Sequence, residues 1–274
     1  MNVYLMHKDR DFDPKALPPW NAKELEQDLE LETLFNAMAR EDEVVLQAVR
    51  SAILNGATDL ETIRYRQHVL TDCIDNPGVI RELYKLTLET IEKKNRSYLG
   101  LFSRYYPSSI LHGSVELLYV FLNMLKRLRT IAEGSEGIFR SEGFASIFAM
   151  LKRELSDDYL AEVLRLLKEL RLRGGALVSA RLSDGNKGAD YVLRRPNRPR
   201  RGLKRIFERA PASFGFRIAD RDESGARALS EMKDRGINPV ANALAQSADH
   251  VVSFFNVLRT ELAFYIGCLN LREA

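Results

Sequence analysis

The densest functional chemistry in this sequence is cationic. Between Arg194 and Arg209 it carries eight Lys or Arg residues against the single acid Glu208, with prolines at 196 and 199. Guanidinium groups fork onto phosphate oxygens, and several on one loop release counterions when they meet a duplex. The candidate phosphate contacts are Arg194, Arg195, Arg198, Arg200, Arg201, Lys204 and Arg205, with Lys187 as a weaker candidate. Such contacts fix position on DNA without reading its sequence. The same segment also reads as a solvated loop without a partner, and the residues alone leave both readings open.

Other chemistry is missing. There is no Gly-x-x-x-x-Gly-Lys-Ser/Thr loop to cradle phosphates, no Gly-x-Gly-x-x-Gly, and no Gly-x-Ser-x-Gly elbow. The histidines, His7, His68, His112 and His250, are scattered, and neither Cys-x-x-Cys nor His-Glu-x-x-His occurs, so no metal site is expected. The pair Asp157/Asp158 stands at a helix start, where capping explains it better than acid–base catalysis does. His250 reads as a polar residue opening an apolar helix, and Phe254, Phe255, Phe264 and Tyr265 read as core. The expectation is a chain that is not itself an enzyme, has no catalytic residues and binds no cofactor.

The elements that must position the basic segment are mostly helical. With 274 residues, 45% hydrophobic and 29% charged, the chain has the composition of a globular protein. Its net charge of +3 says nothing about partners; only the placement of charge does. Cys73 and Cys268 read as buried thiols in a reducing compartment, and the N-terminus as too short an apolar run for a signal peptide. The long apolar stretches read as interrupted by Arg, Glu or Lys every few residues, so neither a membrane span nor a membrane partner is expected. These features together predict a cytoplasmic protein.

After an irregular opening to Pro18-Pro19, the spacing predicts a helix from Asn21 through Met38, and others over about Asp42–Leu54, from Thr58 or Asp59, and over Val79–Lys94. Ser109–Ile131, Phe144–Leu155, Asp158–Leu172 and Val240–Leu271 follow, with helix resuming near Glu223 before the last of these. Between them the period changes. Ala176–Leu182 and Tyr191–Leu193 are strand-like, joined by a turn-forming Ser183–Gly188, and Phe214–Ile218 is a third strand candidate. The predicted fold class is mainly α, with a small inserted β-hairpin or sheet.

Two stretches support a family resemblance. Asp59 to Leu70, continuing through Asp75-Asn76-Pro77 to Arg81-Glu82-Leu83, resembles the start of the helical core (lever) domain of MutS-type DNA mismatch-repair proteins. The run Ala243 to His250, into Phe254 to Tyr265, resembles the long helix returning from that core to the ATPase domain. Phe264 to Leu271 and Gly185-Asn186-Lys187-Gly188 are similar to a bacterial MutS-related branch. The resemblance covers about residues 56 to 274, after an N-terminal segment over 1–55.

It implies a core/lever domain whose insertion, about 174–220, corresponds to the clamp that grips the DNA backbone. It also implies an ATPase domain binding ATP and Mg, and a homodimer in the intact protein. Departures from the family's pattern are the missing Phe-x-Glu element, mismatch-recognition domain and Walker ATPase domain. The chain therefore reads as the front part of such a protein, contacting DNA without reading mismatches. A helical scaffold for protein partners, with no DNA binding, is the alternative.

Overall fold

The computed structural model describes residues 1–99, 106–195, 214–215 and 217–274. Among the described residues the protein is mainly α-helical, with one two-stranded antiparallel sheet. The helices are α1 (Ala22–Asp28), α2 (Leu31–Ala39), α3 (Glu43–Leu54), α4 (Leu60–Asp75), α5 (Pro77–Leu99), α6 (Pro107–Gly134), α7 (Glu142–Glu154), α8 (Asp157–Leu170) and α9 (Glu223–Glu273). Strands β1 (Leu177–Leu182) and β2 (Gly188–Arg194) stand between α8 and α9.

Short polar side chains start the helices where the sequence places them. Asp42 accepts from the Val44 and Val45 N–H groups, Asp59 from Thr62 N–H, and Ser141 from Phe144 N–H. Ser156 does the same for Tyr159 N–H at the head of α8, with Asp157 and Asp158 in its first turn.

Several expectations are corrected. The single helix from Asn21 to Met38 is two helices, because Glu30 adopts a left-handed φ of 49° and Leu29 turns outward, 64% exposed. Asn21 makes no side-chain capping bond. Phe214, Gly215, Arg217 and Ile218 carry no strand. The segments expected near Glu223 and from Val240 form one 51-residue helix that runs through Pro239. Proline removes one main-chain hydrogen bond there but does not end the helix. His250 thus lies within α9, exposed, rather than at a helix start.

Met1–Gly100, Leu117–Leu164 and Ala248–Ala274 make one compact unit; Leu101–Glu116 and Arg165–Ser247 make the other. The first unit buries the stripe expected at the end of the chain. Phe255, Leu258, Leu262, Tyr265, Ile266 and Leu269 are all within it. At Gly267 a Cβ would stand 2.5 Å from Val49 Cγ2, so glycine lets α9 lie directly on α3. Cys73 is fully buried and Cys268 only partly, and both are free thiols whose pKa burial pushes up, Cys268 to about 12. Phe139, Phe144 and Phe148 stack as a cluster, centroids 4.6–5.6 Å apart. Just before α7, the Arg140 and Ser141 N–H groups donate to the buried carboxylate of Asp72 on α4.

The N-terminal segment is tied into this unit by buried polar contacts. Glu261 accepts from the backbone N–H groups of Leu5, Met6 and Phe12 at 3.0, 2.6 and 2.5 Å. Tyr265 and Tyr65 hydroxyls donate to the carbonyls of Leu5 and Tyr4, and Arg66 donates to that of Met6. An extended segment has no ladder of its own, and these side chains stand in for one.

α6 and α9 each hold an 18-residue window of mean hydropathy 1.2 and 1.3, less interrupted by charge than the sequence reading had it. Of each window 56% is buried inside the protein, so core packing accounts for much of the apolar content.

Candidate nucleic-acid interface

The second unit carries the basic insertion on a β-hairpin. Leu177 pairs with Arg194, Val178 with Leu193 and Ser179 with Val192, and beyond an irregularity Arg181 pairs with Ala189. Two residues of β2, Asp190 and Tyr191, therefore oppose Ala180 alone, which is a β-bulge. Asp190 takes the left-handed conformation at φ 52°, which a short polar side chain tolerates. At the tip, Gly185 has φ 73° within a short 3₁₀ turn, Asp184–Asn186, and the Ser183 N–H closes the loop on the Lys187 carbonyl at 2.8 Å.

One face of the hairpin is seated. Alternate β2 residues Ala189, Tyr191 and Leu193 are partly buried. A Cβ on Gly236 of α9 would lie 2.6 Å from Val178 Cγ1, and the Arg235 guanidinium stands 5.8 Å from the Tyr191 ring centroid. The other face is open: Leu182 is 73% exposed, and Val192 and Arg194 are exposed with it.

Arg194 leaves β2 with its Nε donating to Ser179 Oγ at 2.9 Å, so its guanidinium is oriented by the neighbouring strand. Arg195 follows, with Nε 3.6 Å from Glu169 Oε2 at the end of α8. Lys187 at the hairpin tip is exposed and makes no ion pair with the described residues. These three expected contacts thus lie along one hairpin, two of them at its base and one at its tip. Arg198, Arg200, Arg201, Lys204 and Arg205 lie outside the described residues.

Two cations that the sequence reading passed over stand near this base. Lys168, in the last turn of α8, and Arg173, just after it, are both exposed. The signal was available: Arg171-Leu172-Arg173 precedes Gly174-Gly175, directly ahead of β1. Arg171 itself is committed to Glu116 at 2.9 Å, and Arg181 to Asp190 at 2.7 Å. Exposed pairs such as the second contribute little to stability and exchange readily for another anion. The arrangement offers charge for phosphate and no reactive constellation. Among the described residues no three His, Cys, Asp or Glu side chains group to hold a metal ion.

A family model, that of the MutS2 N-terminal domain, matches residues 58–274. No curated protein and no solved structure matches the chain. The match takes in α4 to α9 and both strands, so the hairpin and the helices from α4 onward fall within one family unit. The chain belongs to the MutS2 N-terminal domain family.

Proposed function

We propose that this chain is the DNA-contacting core/lever and clamp part of a MutS-like DNA repair ATPase. The basic hairpin would hold a DNA backbone without reading mismatches. ATP and Mg would be bound by an ATPase domain outside these residues, and the long helices would couple its nucleotide state to the hairpin. The observation that carries this reading is the placement of charge. Lys187, Arg194 and Arg195 lie on a hairpin inserted between core helices, Lys168 and Arg173 lead into it, and the densest basic stretch of the sequence leaves its base. In support of coupling, α6, α8 and α9 each contribute residues to both compact units.

Fluorescence anisotropy with a labelled duplex at low salt tests the hairpin's part. Changing Lys187, Arg194 and Arg195 together to Ala removes three phosphate partners. Affinity should fall by about tenfold or more for every duplex sequence alike. Equal binding by the variant would remove the hairpin from the interface.

The scaffold reading has one observation in its favour: Leu182 and Phe214, 73% and 97% exposed, offer apolar rather than ionic contacts. It predicts no DNA retention at any salt concentration.

A further inference from the structure

An aromatic residue stands out of the first unit with no seat. Trp20, the only tryptophan in the chain, is 94% exposed, and Leu17 is 90% exposed. Between them lie Pro18 and Pro19, whose rings fix the backbone and hold the two side chains out at little entropic cost. Asp13 anchors the segment behind them: its carbonyl accepts from Ser51 Oγ at 3.3 Å and from Ala16 N–H. Exposed tryptophan is rare on a monomer surface and frequent at the centre of interfaces.

The surroundings narrow what this arm meets. From Asp9 to Glu32 the sequence holds eight acids and three bases. Asp11, Asp13, Glu24, Asp28 and Glu30 are exposed. That charge repels an anionic lipid surface or a nucleic acid and suits a basic rim.

The same unit contains such a seat. Between α2, α3, α5 and α9 lies an open cleft of about 300 Å³, with Val45, Leu88 and Ile266 in its apolar lining and Arg40, Arg81, Lys85 and the acid Asp42 around it. The two guanidiniums are held in place. Arg40 donates to the Asn270 carbonyl at 2.9 Å and pairs with Glu273 at 3.0 Å; Arg81 donates to Asn270 Oδ1 at 3.1 Å and pairs with Glu273 at 2.9 Å. Lys85 is exposed and makes no ion pair with the described residues. The apolar lining suits an indole, and Lys85, which is not paired with Glu273 as the two guanidiniums are, suits the arm's acidic flanks.

We propose that the Leu17–Trp20 arm of one copy docks in the Arg40/Arg81/Lys85 cleft of a second copy of this chain, and that the exchange is reciprocal. Arm and cleft belong to neighbouring elements, since α1 packs on α2 and the cleft begins at the end of α2. A two-fold pair can therefore use both arms. One indole removes about 150–250 Å² from water. Two of them, with the Leu17 side chains, stay below the ~1,200 Å² of a standard interface, so the pair is expected to be weak and reversible.

The single tryptophan makes the test direct. Sedimentation of the whole chain across a wide concentration range should show a reversible dimer, with Trp20 emission shifting to the blue as it forms. Trp20→Ala should weaken dimerisation by about thirtyfold or more. Lys85→Glu should weaken it too and reduce its sensitivity to salt, while Trp20→Phe should retain most of it. Both positions are exposed, so circular dichroism should show unchanged helix content. The proposal is overturned by a dimer that Trp20→Ala leaves intact, which would place the interface elsewhere. It is equally overturned by a chain that stays monomeric with unshifted emission at every concentration.

Discussion

Glu261 is buried on α9 with backbone N–H groups as its only hydrogen-bond donors among the described residues, and its pKa rises to about 7 because burial outweighs those three donors. His7, in the strap that Glu261 holds, moves the other way. Burial and the Arg66 guanidinium, which donates to its Nε2, lower it to about 4. The signs oppose. A carboxyl raised in the folded state contributes stability that is full below pH 4.5 and lost as pH rises towards 7. A histidine lowered in the folded state contributes stability that is full above pH 6.5 and lost as pH falls towards 4. Wild-type stability should therefore change little between pH 4.5 and 6.5. Glu261→Gln should expose a rising profile, and His7→Asn a falling one of about 3 kcal/mol between pH 4.5 and 7, read as urea midpoints. Parallel profiles in the two variants would contradict the assignment. Nothing in the sequence marks either residue for this role, because Glu261 is held by main-chain groups more than 240 positions away and His7 by a guanidinium 59 positions away. The exposure of Arg194, Arg195 and Lys187 was legible for the opposite reason: surface charge needs no tertiary partner to be recognised.

At the scale of elements, periodicity and caps located most of the helices. Asp42, Asp59 and the Ser156–Asp158 run mark starts that the structure keeps. The errors fall where local preference loses to packing. Glu30 turns the chain left-handed between two short helices although its residue type favours helix, and α9 passes through Pro239 although proline disfavours it. Phe214–Ile218 had a strand's composition, but its described residues form no strand, and composition alone carries no partner. The close approach of α9 to α3 gives a direct check. Gly267→Ala would bring Cβ to 2.5 Å from Val49 Cγ2, on a β-branched side chain that is fully buried and stiff. The cost should be about 1–3 kcal/mol, a drop of several degrees in thermal midpoint. Gly78→Ala, in the first turn of α5 where an added Cβ meets nothing within 4 Å, is the control and should not lower the midpoint, since alanine suits a helix better than glycine. An unchanged midpoint in Gly267→Ala would mean that the two helices are free to move apart.

At the scale of the whole molecule, the helices from α4 onward and the basic hairpin belong to one family unit, and the central claim is that the hairpin and the segment leaving it hold DNA by its phosphates. The sequence alone could place the charge but not show what presents it, because a solvated loop and a clamp have the same composition. The hairpin's bulge and its seat against α9 became visible only in three dimensions. The most direct measurement is duplex affinity as a function of salt, for wild type and for the variant with Arg198, Arg200, Arg201 and Lys204 all changed to Ala. If about four phosphates are engaged by these residues, log affinity should fall with log salt at a slope near −3.6, and the variant should bind more weakly with a much shallower slope. Mismatched and matched duplexes should give the same line. Equal binding by wild type and variant at every salt concentration would contradict the phosphate clamp and leave the protein scaffold in its place.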